Sequence, residues 1–196
     1  MNRPALCDLL FPWRRMSRAA RRAWASARTM TDLGELVIAW LHGEIAWTPG
    51  HCGPPDGETI PLIPWLEILN RGGFVTDNSQ LAETVDGRTW TTWVSGFADD
   101  ATLTRIRSAA EGTDLTVTAC RKHSHQCYLP DGGGFFWACP WQECTGFWAD
   151  RCPDVADELR RCWFVVVEDP EPGRNDLLWP AMAEALAPGA AAEVIP

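Results

Sequence analysis

The stretch that decides the fold is residues 163–176, WFVVVEDPEPGRND. Trp163 to Val167 is an unbroken apolar run of strand length, and a strand that does not alternate is one buried on both faces. At Glu168-Asp169 the chain changes character. Pro170 and Pro172 stiffen it, Gly173 suits a positive φ, and Asn175 or Asp176 stands where a helix cap is needed. The helix itself is expected from Asp176 to Ala187, with Leu178, Met182, Ala185 and Leu186 as its buried stripe. A buried strand passing through a stiff polar turn into a helix belongs to a sheet covered by helices.

Upstream, strands and helices alternate. Trp90 to Phe97 alternates rings with hydroxyl side chains, as a strand with two different faces does. Asp99 can cap a helix carrying Leu103, Ile106 and Ala110, closed by Gly112. Leu115, Val117 and Ala119 mark another strand, and residues 130–134, PDGGG, make a tight turn in a hairpin that ends near Cys139. A helix from Pro153 to Arg161 turns Val155, Ala156 and Leu159 inward. Residues 90–167 therefore follow the order of a ferredoxin-like β-α-β-β-α-β core, with a mixed sheet and helices over one face. Two extra N-terminal helices precede it. One runs from Thr31 to His42, where Asp32 and Glu35 have capping-box spacing. The other runs from Pro61 to Arg71, on Leu62, Trp65, Leu66 and Leu69. Residues 48–58 are a loop rich in Pro and Gly, Phe74 to Thr76 a short strand, and residues 77–87 a loop. The class is α/β, in its α+β form.

Charge divides the chain unevenly. Residues 1–28 hold seven arginines and one acid, net +6, whereas the remainder holds ten basic and 25 acidic side chains, net −15. The expected organisation is a basic, partly disordered arm over residues 1–30, helical from near Ser17, and a single α/β domain over 31–196. An acidic body repels phosphate at long range, so nucleic acid is expected to bind only through the arm, on Arg14, Arg15, Arg18, Arg21 and Arg22. No apolar run of membrane-spanning length occurs, and no signal-peptide pattern precedes the body. Six of the eight cysteines crowd into residues 120–162, in a chain long enough to fold without staples. Both facts point to free thiols or metal ligands in a reducing cytoplasm. Twelve tryptophans against one tyrosine, Tyr128, read first as core filling and second as a stacking surface.

Three places can carry chemistry. Cys120, His123, His125, Cys127, Cys139 and Cys144 are thiolates and imidazoles of the kind zinc prefers, although no two cysteines stand two residues apart as in a zinc knuckle. Zinc on His123, His125, Cys127, Cys139 and Cys144 stands beside the plainer reading, a polar turn with scattered thiols. The second place is the turn after the buried strand. Asp169, Glu171 and Asp176 are acids suited to a divalent cation or a partner, and Arg174 can clamp a carboxylate or phosphate. That turn is equally complete as structure. The third is the arginine arm. A P-loop, a dinucleotide-type glycine fingerprint, a nucleophile elbow and paired metalloprotease histidines are all missing.

Four stretches resemble a family of uncharacterised proteins from Streptomyces-type actinobacteria and their phages. They are WASARTMTDLGELVIAWLHGEI from Trp24, LIPWLEILNRGGFVTDNSQ from Leu62, GFADDATLTRIR from Gly96 and VVVEDPEPGRNDLLWPAMAEAL from Val165. The resemblance runs from about Met16 to Leu186, and residues 120–144 lie outside the stretches that carry it. It implies a bacterial or phage cytoplasmic protein and supports Met16 as the natural start. It implies no activity. The expectation is a non-catalytic accessory protein that acts through a protein partner. One alternative is a divalent-metal-dependent enzyme built on residues 169–176, and another is a zinc-stabilised nucleic-acid-binding protein.

Overall fold

The computed structural model describes residues 16–121 and 141–187, the side chains of 141–144 excepted. Its helices are α1 (Arg18–Ala25), α2 (Met30–Leu41), α3 (Ile63–Arg71), α4 (Asp100–Ala110), α5 (Trp141–Arg151), α6 (Ala156–Arg161) and α7 (Leu178–Leu186). Its strands are β1 (Val75–Gln80), β2 (Thr84–Val85), β3 (Arg88–Thr89), β4 (Thr92–Ala98), β5 (Thr116–Cys120) and β6 (Trp163–Asp169). The class is α+β, as the sequence pattern implied.

The main sheet has the order β1-β4-β6-β5, and every neighbouring pair is antiparallel. Strands β4 and β5, joined through α4, therefore run parallel to each other with β6 inserted between them. This is a split β-α-β unit. It departs from the ferredoxin-like order, in which the hairpin strand would occupy that gap and the last strand would lie at an edge. The apolar run explains the difference. Val165 and Val167 are buried on one face and Phe164 on the other, so β6 is served best by a central place. The edge beside β4 goes instead to β1. The expected hairpin around residues 130–134 lies outside the described residues.

Helices cover both faces of the sheet rather than one. On one face, Trp179 of α7 donates its indole proton to the Thr92 hydroxyl at 3.1 Å. On the other, Phe97 and Phe164 meet edge to face with ring centroids 5.4 Å apart, and Phe97 packs against Trp148 of α5 at 5.6 Å. Trp148 in turn meets Trp24 of α1 at 5.4 Å. The helix of the basic segment is thus seated in the common core, with Met16, Ala20, Trp24 and Ala27 all buried. Aromatic edge-to-face contacts of this kind add about 0.5–1.5 kcal/mol each beyond area burial.

Local chemistry sets the helix boundaries. Ser17 caps α1 by accepting from the Ala20 N–H at 3.0 Å. The capping box of α2 lies three residues earlier than its spacing suggested. Thr29 accepts from the Asp32 N–H at 3.1 Å, and Asp32 reaches back to the N–H of Thr29 at 3.0 Å and of Arg28 at 2.8 Å. Those backbone donors hold the Asp32 carboxyl below the usual carboxylate range. Asp99 caps α4 as expected, accepting from Thr102 at 2.7 Å. Buried Asn70 joins α3 to β1. Its amide donates to the Leu66 carbonyl at 2.7 Å and to the Thr76 hydroxyl at 2.8 Å, and its oxygen accepts from the Thr76 N–H at 3.1 Å.

Candidate functional site

The turn after β6 is a closed knot of charge. Asp169 is the last residue of the strand and has no exposure to solvent. Arg174 folds back on it in a two-pronged pair, Nε to Oδ2 at 2.6 Å and Nη2 to Oδ1 at 2.7 Å. The third nitrogen, Nη1, meets Asp114 at 3.1 Å and Glu171 at 2.7 Å. These bonds, those from Asp169 foremost, hold Arg174 above its ordinary pKa. The Glu171 N–H closes the turn on Asp169 Oδ1 at 3.1 Å, and Gly173 takes φ +85°, as its position predicted. Of the residues expected to act here, the structure brings Asp169, Glu171 and Arg174 together. Asp176 is exposed and stands outside that set.

The cap expected of Asn175 or Asp176 is absent from α7, which starts after Leu177 with no side-chain cap. Asn175 does something else. Its side chain accepts from the Ala82 N–H and donates to the Ala82 carbonyl, each at 2.8 Å. The turn is thereby joined to the segment entering the small hairpin β2–β3. That hairpin closes through Asp86 and Gly87, at φ 50° and 76°. The Trp90 N–H donates to the Glu83 carbonyl at 2.8 Å, and the Gly173 N–H donates to the Trp90 carbonyl at 3.1 Å. Trp90 and Val85 keep 37% and 44% of their surface exposed, on a backbone pinned from two sides.

A second polar region lies along the outer edge of β1, and the sequence reading passed over it. Pairing between β1 and β4 slips between Thr76 and Asn78, so Asp77 sits in a β-bulge, out of the regular ladder. Asp77 keeps a narrow opening to solvent but has protein on nearly every side. Its Oδ1 accepts the Trp148 indole proton at 2.7 Å. Burial pushes its carboxyl up, against the opposing pull of that bond and of nearby His51. The Pro/Gly-rich loop of residues 48–59 faces it. A Cβ on Gly50 would stand 2.7 Å from Asp77 Oδ1, so only glycine permits this approach. Thr48 and His51 close the loop on each other, His51 N–H to Thr48 Oγ1 at 2.8 Å and Thr48 N–H to the His51 carbonyl at 3.1 Å. Between loop and strand is a cleft of about 30 Å³, into which Asp77, His51, Asp56 and Glu58 all face. Burial, then Glu83 and Asp56, raise the Glu58 carboxyl. One signal was legible in advance: an aspartate in a strand continuing from Val75, opposite a glycine-rich loop.

The remaining candidates separate. Arg18, Arg21 and Arg22 stand exposed on α1, whereas Arg28 pairs with Asp154 at 2.7 Å. Among the described residues no group of three His, Cys, Asp or Glu side chains is placed to hold a metal ion. His123, His125, Cys127 and Cys139 lie outside the described residues, as does the side chain of Cys144. Burial pushes the Cys152 thiol up to about 12 and the Cys162 thiol up to about 11. Most of the described tryptophans fill the core or its margin, and six of them find partners for their indole protons. Trp24 donates to the Trp47 carbonyl, Trp40 to the Gly53 carbonyl, Trp93 to Gln80 and Trp163 to Asp100, beside Trp148 and Trp179 already described.

A family model described as a domain of unknown function, DUF6919, matches residues 19–189, from α1 to just beyond α7. The chain belongs to the DUF6919 family. That match takes in the knot at Asp169, the hairpin with Trp90 and the cleft over Asp77, so all three lie within the DUF6919 domain. No curated protein matches the chain. In the DUF6919 domain no helix of the described residues is long and apolar enough to cross a membrane.

Proposed function

We propose that this DUF6919 protein is a non-catalytic accessory protein that acts by binding a protein partner, on the surface formed by the β2–β3 hairpin and the turn after β6. The observation that carries the reading is Trp90. An aromatic side chain with about a third of its surface in water, on a rigid backbone, is of the residue type that dominates binding energy at protein interfaces. It costs little to order on contact, because its backbone is already fixed by Glu83 and Gly173. The adjoining turn supports the surface and leaves little for chemistry. For Asp169 and Arg174 to serve a metal-dependent reaction, their mutual pair would first have to be broken. The resemblance to actinobacterial and phage proteins supports a partner in the bacterial cytoplasm, and the thiols of Cys152 and Cys162, both unpaired, accord with that.

The test is affinity capture from an actinobacterial lysate with the wild-type chain and with Trp90→Ala, quantified by mass spectrometry across a salt series. A protein enriched by the wild type and lost with the variant supports the reading. Equal recovery with both, or nothing above background at any salt, overturns it.

A second reading rests on Arg18, Arg21 and Arg22, which form an exposed basic face on a helix anchored by Trp24. It is phosphate-backbone binding to nucleic acid. Affinity for duplex DNA or RNA that falls steeply with salt, and drops when the three are changed to glutamate, supports it. Binding insensitive to both excludes it.

A further inference from the structure

The cleft over Asp77 has three properties that together specify a ligand. The first is size. At about 30 Å³ it admits only a small group, of the order of one or two water molecules. The second is sign. Asp77 forms its floor, and Asp56 and Glu58 are exposed at its rim. Facing these carboxylates is His51, whose Nε2 stands 3.9 Å from Asp56 Oδ2. Carboxylates grouped at a narrow opening focus a field that draws cations inward. The third is rigidity. Trp148 holds Asp77 Oδ1, which leaves Oδ2 for a ligand, and the Trp40 indole proton holds the Gly53 carbonyl at 2.8 Å. The Trp40 and His51 rings, 5.4 Å apart, make an aromatic wall.

We infer that this cleft binds a primary ammonium group, which enters between Asp56 and Glu58 and ends on the carboxylate of Asp77. Other occupants fit worse. A guanidinium is planar and too large for the space. A divalent metal needs several hard ligands at bonding distance, and no three acids or histidines of the described residues are so arranged. An anion meets carboxylates. An ammonium matches the volume, donates hydrogen bonds to carboxylate and hydroxyl oxygens, and gains from the aromatic wall. It also offsets the burial that pushes the Asp77 carboxyl up and the burial and acidic neighbours that push up Glu58. A free small amine and a lysine side chain carry the same group on a narrow stem, and the experiment separates them.

The full chain, labelled with 15N in its tryptophan indoles, is titrated with methylammonium, tetramethylammonium and guanidinium chloride at constant ionic strength. The Trp148 indole resonance reports, because its proton sits on Asp77. The expected result is a saturable shift with methylammonium alone, abolished in Asp77→Asn. A titration with acetyl-Gly-Lys-Gly-amide that saturates at least about ten-fold lower assigns the site to a lysine of a partner. Saturation at or above the methylammonium range assigns it to a free amine. The same shift with all three salts, or none with methylammonium, overturns the inference. If the other indole peaks show that Asp77→Asn does not fold, Asp56→Asn/Glu58→Gln decides at the exposed rim. A fall in methylammonium affinity of about three-fold or more upholds the inference, and unchanged affinity overturns it.

Discussion

The guanidinium of Arg174 lies edge-on to the carboxylate of Asp169, with paired contacts of 2.6 and 2.7 Å at a carboxylate that has no exposure to solvent. Removing the cation strands a buried charge, and that is the costly way to break such a pair. Arg174→Ala is expected to lose on the order of 3 kcal/mol in urea denaturation. Arg174→Lys should recover only part of this, because an ammonium cannot reproduce the two-pronged geometry. A loss of under about 0.5 kcal/mol for Arg174→Ala would show that Asp169 is not held by this pair.

Asp77 gives a pH dependence of definite sign. Burial raises its folded pKa above the ordinary value, so ionising it costs folding stability. Its favourable contribution is complete below the ordinary carboxylate pKa and is lost as pH rises through the raised folded value. Asp77→Asn keeps an oxygen for the Trp148 indole and carries no charge to desolvate. The variant should therefore gain stability relative to wild type as pH rises from about 4, and then reach a plateau. Paired denaturation curves over that range measure the difference, and a gap independent of pH would contradict it.

Two tryptophans should differ in what their loss costs. Trp148 is fully buried and donates to Asp77, so Trp148→Phe removes packing and orphans an acceptor, at about 2 kcal/mol. Trp90→Ala should cost under about 1 kcal/mol, since its fixed backbone carries the structural bonds. Thermal and urea unfolding of both variants checks the contrast.

Thiol chemistry should follow burial. At pH 7 and without denaturant, a maleimide mapped by peptide mass spectrometry is expected to label Cys52 well before Cys120, Cys152 and Cys162. Cys52 is exposed and the other three are buried, two of them with thiols pushed far above neutral pH. Early labelling of Cys152 would mean that the contact between α5 and the sheet opens readily.

What could be read in the sequence was whatever depends on near neighbours. The Asp99 cap, the positive φ at Gly173 and the burial of Phe164, Val165 and Val167 all follow from a few adjacent residues and stand in the structure, whereas Trp163 and Val166 of the same run are only partly buried. Strand β1 was read only as far as Thr76, because DNSQ has no apolar alternation. Its polar side chains are served from elsewhere, Gln80 by Trp93 and Asp77 by Trp148, 13 and 71 residues away. Helix α5 was missed for a related reason, since Trp148, the fully buried ring among its described side chains, matters through contacts with Trp24 and Phe97. The Asp86-Gly87 turn was a local signal that could have been used. The candidate site fared likewise. The pairing of Asp169 with Arg174 is a property of one turn, whereas the cleft over Asp77 joins a loop, a bulge and a helix that the sequence keeps apart.

The place of β6 has a meaning for how the chain is made. A ribosome produces β1, β4, α4 and β5 first, and at that stage β4 and β5 have no strand between them and expose unsatisfied edges to any passing chain. The element that joins them, closing pairs as distant as Thr92 with Asp169, emerges only after α5 and α6. Sheet formation is therefore a late event in synthesis, slowed by the span it must close, and the nascent protein spends that interval with its adhesive edges open.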